Sequence, residues 1–534
     1  MNRKTLSTSA GYALTLVALT NALSLLDRNI LAILAPRIKK DLVIGDAEMG
    51  LLYGTVFALF YALFSLPLGR LADTWIRTRL LSIALAFWSV ATALAGMAHG
   101  FSVLALSRLG VGIGEGVAGP GGTSLVFDHY PKPKRGFAMA VIAAAIAVGL
   151  GGSSVLGGVA ADWWDQLYAA DSAPLGLHGW QFAFVLAALP GFVVSALLFR
   201  LPEPVRGRLD GIASKTFDRP FAESLRLLAS VTPISNWLAL LARRAKTRQW
   251  LANLAVMAVI IAAAMALTSW TSALSPRPFL HIGSWEVNPH ALQWGVVAFG
   301  VAVVFNLYQT LRLTDPVTHA VLTTSPSLIL CMAIGSLQTM INYGIMGFTP
   351  SFLMKTFHLS PATTGLQFGL LSAAIGIIGP MIAGPLSDKL HARLPGAGRA
   401  WVTFVSLGLS PLIAFWVYSA QSPSEFYMRF VVYSVVLTGW LPPLYAIMFD
   451  QVLPRMRGIT SSTYVILSTI FGLGIGPFVV GMVSDATGGN LAYAILSINW
   501  VAPAIVAMLV LLALRVKRDE ASLLARAQAA GEPV

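Results

Sequence analysis

Cysteine is almost missing. Cys331 is the sole example in 534 residues, and it lies inside an apolar run. An intramolecular disulfide, a thiolate metal cluster and a redox pair are therefore all excluded. Charge is scarce as well: Asp, Glu, Lys and Arg make up 11% of the chain, where a soluble globular protein carries roughly 25%. So few charges cannot coat the several cores that this length would otherwise build, which argues against a soluble multidomain enzyme. His281, His290 and His319 fall in or near loops without metal-ligand spacing, and no Walker pattern is present. Neither a metal nor a cofactor is expected.

What the chain has instead is hydrocarbon. Apolar residues make 56% of it, gathered in blocks of at least 18 or so, the length that crosses a layer of about 30 Å. Blocks near 11–35, 49–71, 79–98, 101–128, 136–160 and 180–200 predict six spans. Two more follow near 250–272 and 291–311, then six near 327–354, 363–387, 399–419, 425–450, 459–485 and 491–514. The expected fold is an all-α membrane protein of 14 transmembrane helices. Residues 1–204 would form one six-helix bundle, 205–326 a cytoplasmic linker with an inserted helix pair, and 327–534 a second bundle with a cytoplasmic tail.

The net charge of +13 has a topological explanation. Placing both termini in the cytoplasm puts 28 of the 36 Lys and Arg residues on that side and 5 on the other, with Arg28, Arg108 and Arg429 inside spans. Nucleic acid is thus not an expected partner, and a plasma or inner membrane is the expected location. Met1–Lys4 and the run behind them read as a first span, because no clear cleavage site follows. Asp162, Asp165 and Asp171 then lie outside, while the leucines and arginines of 221–248 suit the inner leaflet.

The chain also repeats itself. Gly69-Arg-Leu-Ala-Asp73 returns as Gly384-Pro-Leu-Ser-Asp388, an offset of 315. Phe127-Asp128 before Arg135-Gly136 returns as Phe449-Asp450 before Arg457-Gly458, an offset of 322. Two six-helix halves in parallel imply a pseudo-twofold axis along the membrane normal and a ligand path between them. This is the architecture of the major facilitator superfamily, and the loop Gly69–Asp73 with Arg77 and Arg79 resembles its cytoplasmic signature. Leu26–Leu31, Phe57–Phe64 and Arg108-Leu-Gly-Val-Gly-Ile-Gly-Glu115 resemble the spinster family within it. The inserted helix pair departs from the usual twelve spans.

Charges within spans mark candidate chemistry, since each costs roughly 2.5–3.5 kcal/mol on insertion scales. Asp27 and Arg28 share a polar stripe with Thr20, Asn21 and Ser24. Arg108 is expected at the depth of Asp27 and able to pair with it, with Glu115 two turns further along the same face. A carboxylate that trades an arginine for a dry environment changes its affinity for a proton, so Asp27, Arg108 and Glu115 are candidates for proton coupling. The spinster resemblance implies the same three positions. Ser24, Arg28, Gln338, Asn342, Tyr343, Arg429 and Trp440 are candidates for substrate contact.

Gly69, Asp73, Arg77, Arg79, Arg135, Gly384 and Asp388 are candidates for a cytoplasmic gate. In it Asp73 would meet a helix N-terminus and Arg77, Arg79 or Arg135, and Asp388 would meet Lys389 and Arg393. The expected function is proton-coupled secondary transport by a monomer. The spinster resemblance implies an amphiphilic cargo such as a lysophospholipid or sphingoid phosphate. A small organic anion or drug-like solute is the alternative, and a sensor or receptor the reading outside transport.

Overall fold

The computed structural model describes residues 3–43, 52, 56–168, 173–211, 218–277, 279–282, 285–359, 361–395 and 397–532. Thirteen helices among them are long and apolar enough to cross a membrane. The expected second span is carried by α2; residues 49–51 and 53–55, expected to open it, lie outside the described set, as does Asp171.

The first bundle contains α1 (Arg3–Leu42), α2 (Val56–Thr74), α3 (Arg77–Ala95), α4 (Phe101–Glu115), α5 (Ala118–His129), α6 (Arg135–Leu167) and α7 (Gly179–Arg200). The connecting region holds α8 (Pro220–Val231), α9 (Ser235–Ala242), α10 (Thr247–Leu274), α11 (Pro289–Thr314) and α12 (Pro316–Thr323). A short antiparallel hairpin, β1 (Leu280–Ile282) with β2 (Trp285–Val287), joins α10 to α11, with Leu280 opposite Val287. The second bundle contains α13 (Pro326–Phe357), α14 (Pro361–Arg393), α15 (Ala397–Tyr418), α16 (Pro423–Thr438), α17 (Leu441–Asp450), α18 (Arg457–Ser468), α19 (Gly476–Ala486), α20 (Leu491–Ser497) and α21 (Ala502–Ala521). A terminal helix, α22 (Leu523–Ala529), follows.

Helix starts follow local chemistry. Ser325 and Ser422 accept the amides of Leu328 and Glu425, with Pro326 and Pro423 next in line where no amide is needed. Both bundles break their fourth span, at Gly116 between α4 and α5 and at Gly439-Trp440 between α16 and α17. Two breaks lack a counterpart: Ile498–Val501, between α20 and α21, is a 3-10 turn, and Thr469–Ile475, between α18 and α19, is wound as a π-helix, the kind of irregularity that bends a helix.

The bundles meet along two seams, α6 against α14 and α2 against α18. The inserted pair lies at the second seam, where α11 touches α2, α18 and the π segment. Only 6% of the apolar window of α10 is buried, so this helix faces hydrocarbon almost all round. A dry interior would strand polar amides, and here they satisfy one another. Asn253 Nδ2 donates to Asn306 Oδ1 at 2.9 Å and to Gln309 Oε1 at 2.8 Å, and Asn236 Nδ2 donates to Asn306 Oδ1 at 3.0 Å. The α8–α9 pair turns through 116°, leaving Leu225, Leu238 and Leu241 exposed in the stretch expected to lie on the leaflet.

Candidate functional site

Glu115 ends α4, where the chain breaks, and its carboxylate turns toward α1. Arg28 Nη2 and Ser24 Oγ each donate to Glu115 Oε2 at 2.8 Å. The Arg28 guanidinium also lies 4.6 Å from the ring centres of both Phe57 and Tyr61 on α2, a cation–π arrangement that strengthens when water is excluded. Arg28 therefore joins the coupling candidates, whereas its spacing alone had placed it with substrate contacts. Phe57 and Tyr61 entered the sequence analysis only through a resemblance; nothing in their spacing announced a cation.

The expected Asp27–Arg108 ion pair is not formed. Arg108 Nη1 instead donates to the main-chain carbonyl of Asp27 at 2.9 Å, and its guanidinium faces the Phe184 ring at 5.4 Å. The Asp27 carboxylate turns away toward α3, accepting from Thr92 Oγ1 at 3.2 Å. A carbonyl keeps a second lone pair even inside a helix, so arginine can grip α1 without touching the acid. Four polar atoms here have no hydrogen-bond partner: Asp27 Oδ1, Arg28 Nε, Arg108 Nε and Glu115 Oε1. Asp27 and Glu115 are both buried, while the Arg28 side chain remains 20% exposed. Each unsatisfied buried group costs about 1–3 kcal/mol, more when charged.

Across from it, α13 contributes Gln338, whose Nε2 donates to Asn342 Oδ1 at 2.9 Å. Tyr343 is 39% exposed and within electrostatic range of Arg28. The structure does not bring Arg429 or Trp440 to this group. Arg429 pairs with Glu425 one turn away, donates to the Trp416 carbonyl at 2.6 Å and lies over the Trp416 ring. Those partners use up the charge expected to attract a head group. Trp440 is packed in the apolar core of the second bundle, at the helix break where a bulky side chain fills space.

The gate candidates assemble at the basic end, with different partners from those expected. Asp73 meets none of Arg77, Arg79 and Arg135 in a salt bridge. It accepts the amides of Gly458 and Ile459, at the start of α18 in the other bundle, at 2.8 and 2.9 Å. Asp388 does the same with Gly136 and Phe137 at 3.2 and 2.9 Å, and its cation is Arg399 rather than Lys389 or Arg393. A helix N-terminus offers free amides and positive potential, so a carboxylate docks there without needing a side chain. The glycines make this approach possible. A Cβ on Gly458 would fall 2.3 Å from the Gly69 carbonyl oxygen, and one on Gly384 would fall 2.6 Å from that of Gly136.

Around the latches the arginines cross over. Arg135 Nη1 bonds Asp450 at 2.5 Å and Arg457 Nη1 bonds Asp128 at 3.1 Å, each reaching into the opposite bundle. Arg77 pairs with Asp128 and, at 2.6 Å, with Glu203, and Arg399 holds Asp450 at 2.7 Å. Arg79 stands near the Phe199 ring. Asp210, from the connecting region, sits between Arg135 and Arg457 at 2.8 and 2.5 Å. Asp128, Asp450 and Arg457 were visible in the sequence as marks of the repeat, and the repeat was the signal for their role. Asp210 carried none.

Two repeated bundles closed on each other at one end, with an ion pair buried at membrane depth, define a polytopic membrane transporter. The chain belongs to the major facilitator superfamily, whose sequence profile matches residues 17–335. It is 25% identical over 483 residues to an MFS-type efflux pump of Mycolicibacterium smegmatis, covering 90% of this chain and 86% of that one. It is 31% identical over 193 residues to the sphingosine-1-phosphate transporter SPNS2 of Danio rerio, covering 36% of each. Its fold is similar to that of a bacterial homolog of the human lysosomal transporter Spinster in an inward-facing, unoccupied conformation. There the TM-score is 0.53 and identity 22%, over 98% of this chain and 96% of that one. The spinster resemblance and the expected all-α fold are both met.

Proposed function

We propose that this protein is a proton-coupled secondary transporter working by alternating access, with an amphiphilic lipid such as a lysophospholipid or sphingoid phosphate as cargo. The carrying observation is the cluster of Asp27, Arg28, Arg108 and Glu115 at membrane depth, in which both acids are buried and Arg28 pairs with Glu115 between α1 and α4 at 2.8 Å. In this reading Glu115 releases Arg28 when a proton neutralises it, and the freed guanidinium receives an anionic head group. Gln338, Asn342 and Tyr343 complete the polar side of the path. The Asp73 and Asp388 latches act as the gate at the basic end, which faces the cytoplasm with both termini, and the protein acts as a monomer.

The likeness to a named sphingosine-1-phosphate transporter supports the lipid reading. The longer match to an efflux pump supports the alternative, a small organic anion or drug-like solute. Proteoliposome uptake under an imposed pH gradient, against a panel of lysophospholipids, sphingoid phosphates and organic anions, separates the two. Glu115→Gln, and likewise Asp27→Asn if that acid shares the proton, is expected to reduce gradient-driven flux at least tenfold with folding intact. Undiminished flux in Glu115→Gln defeats the coupling scheme.

A further inference from the structure

Helix α11 of the inserted pair lines one side of a cavity of about 330 Å³ at the second seam. Its sides are Leu59 and Leu63 of α2, Val296 and Val297 of α11, and Ile466 and Ile470 on the other bundle's side. The volume is about twice that of an engineered apolar cavity of about 150 Å³ that takes up benzene. We propose that this cavity holds the hydrocarbon chain of a single-chain amphiphile, and that α11 of the inserted pair completes its wall. The inference rests on the lipid reading above and extends it to a second site.

Three observations point to that occupant. The cavity lies among spanning helices, where the surrounding solvent is itself hydrocarbon and an apolar wall attracts chains rather than water. Both of its inner walls are shared with the charged cluster. Helix α2 turns Leu59 and Leu63 to the cavity and Phe57 and Tyr61 to Arg28. The π segment turns Ile470 and Gly474 to the cavity, while Gly472 packs against Thr339 and Tyr343. A molecule with its anionic head at Arg28 and its chain in the cavity would straddle this wall, so charge and hydrocarbon each meet their own kind. Finally, the wall contains the π-wound turn Thr469–Ile475, and Gln293 of α11 donates to the Gly474 carbonyl at 2.5 Å. The insertion thus supplies a donor to a carbonyl in the irregular turn, as a wall that bends inside hydrocarbon requires.

The test uses the full-length protein in proteoliposomes with a lysophospholipid carrying a photoreactive diazirine at mid-chain, followed by peptide mass spectrometry. Labelling is expected on 289–303 and 466–477, reduced at least fivefold by excess unlabelled lysophospholipid. Val296→Trp, which fills the cavity, is expected to lower that labelling at least tenfold. Where transport is measured, it should raise the apparent KM for a sixteen-carbon chain at least tenfold and that for a six-carbon analogue less than twofold. Labelling spread along the outward face of α10, or not competed by unlabelled lipid, marks ordinary boundary lipid and overturns the proposal. The wild-type labelling stands whether or not the variant folds. Competed labelling without pH-driven flux would reject the transport reading and leave this site in place.

Discussion

Among the described residues Glu115 takes its hydrogen bonds from Arg28 and Ser24, both on one oxygen. Removing Arg28 therefore leaves a buried acid with a single hydroxyl. Breaking a buried pair by deleting one partner costs about 3–5 kcal/mol, and the partial exposure of Arg28 puts the expected loss at the lower end. Arg28→Ala is expected to lower the apparent melting temperature in detergent by several degrees. Adding Glu115→Gln should restore at least half of the loss, since the stranded charge is then gone. An additive double mutant would show that the pair carries little coupling energy. Arg28→Lys keeps the charge but loses the planar face that lies against Phe57 and Tyr61; it should retain stability better than transport, read as flux per folded protein.

At the level of helices, the basic end is held by two carboxylate-to-amide latches related by the repeat. Each carboxylate accepts two amides, and charge-assisted bonds contribute about 1.5–3 kcal/mol apiece. Asp73→Ala removes two, so the ratio of closed to open conformers should fall by roughly a hundredfold or more. Spin labels at the exposed residues 134 and 394, one on each bundle, would report this as a shift to longer distances. An unchanged distribution would place the closing energy in the crossed arginines instead. Gly458→Val should act the same way for a steric reason, because its side chain enters the space of the Gly69 carbonyl. Asp210→Asn tests whether the connecting region helps: it leaves the shape but weakens the contact to both Arg135 and Arg457, and should shift the distribution less than Asp73→Ala does.

Across the whole molecule, Asp315 joins parts that are far apart in the chain, bonding Arg70 at 3.3 Å and Arg455 at 3.2 Å, while Arg455 also grips Glu532 near the chain's end at 2.7 Å. Burial raises the pKa of the Asp315 carboxyl, yet Arg455 and Arg70 outweigh burial and hold it below the usual range. A carboxyl held low when folded binds fewer protons there than when unfolded. Its contribution is complete above roughly pH 4 and is lost as pH falls through the lowered value. Thermal unfolding from pH 7 to pH 3 should therefore show wild type losing its advantage over Asp315→Asn only below about pH 4. Loss of that advantage above pH 5 would assign the acid sensitivity to another group.

Spans and repeat were legible in the sequence because a bilayer leaves the backbone few choices: apolar length sets the helices, and duplicated Gly–Asp and Arg–Gly pairs survive at fixed offsets. Partners were not legible. The latches join Asp73 to amides 385 residues away, and amides carry no residue name. Arg28 took Glu115, and Arg108 took a carbonyl, because which lone pair faces which guanidinium depends on helix rotation, and one-dimensional spacing leaves that rotation open. Composition and periodicity alone determined that this chain crosses the membrane as two similar bundles. Only packing decided which charges meet, because contact between spans is settled by side-chain fit across seams that the linear order does not record.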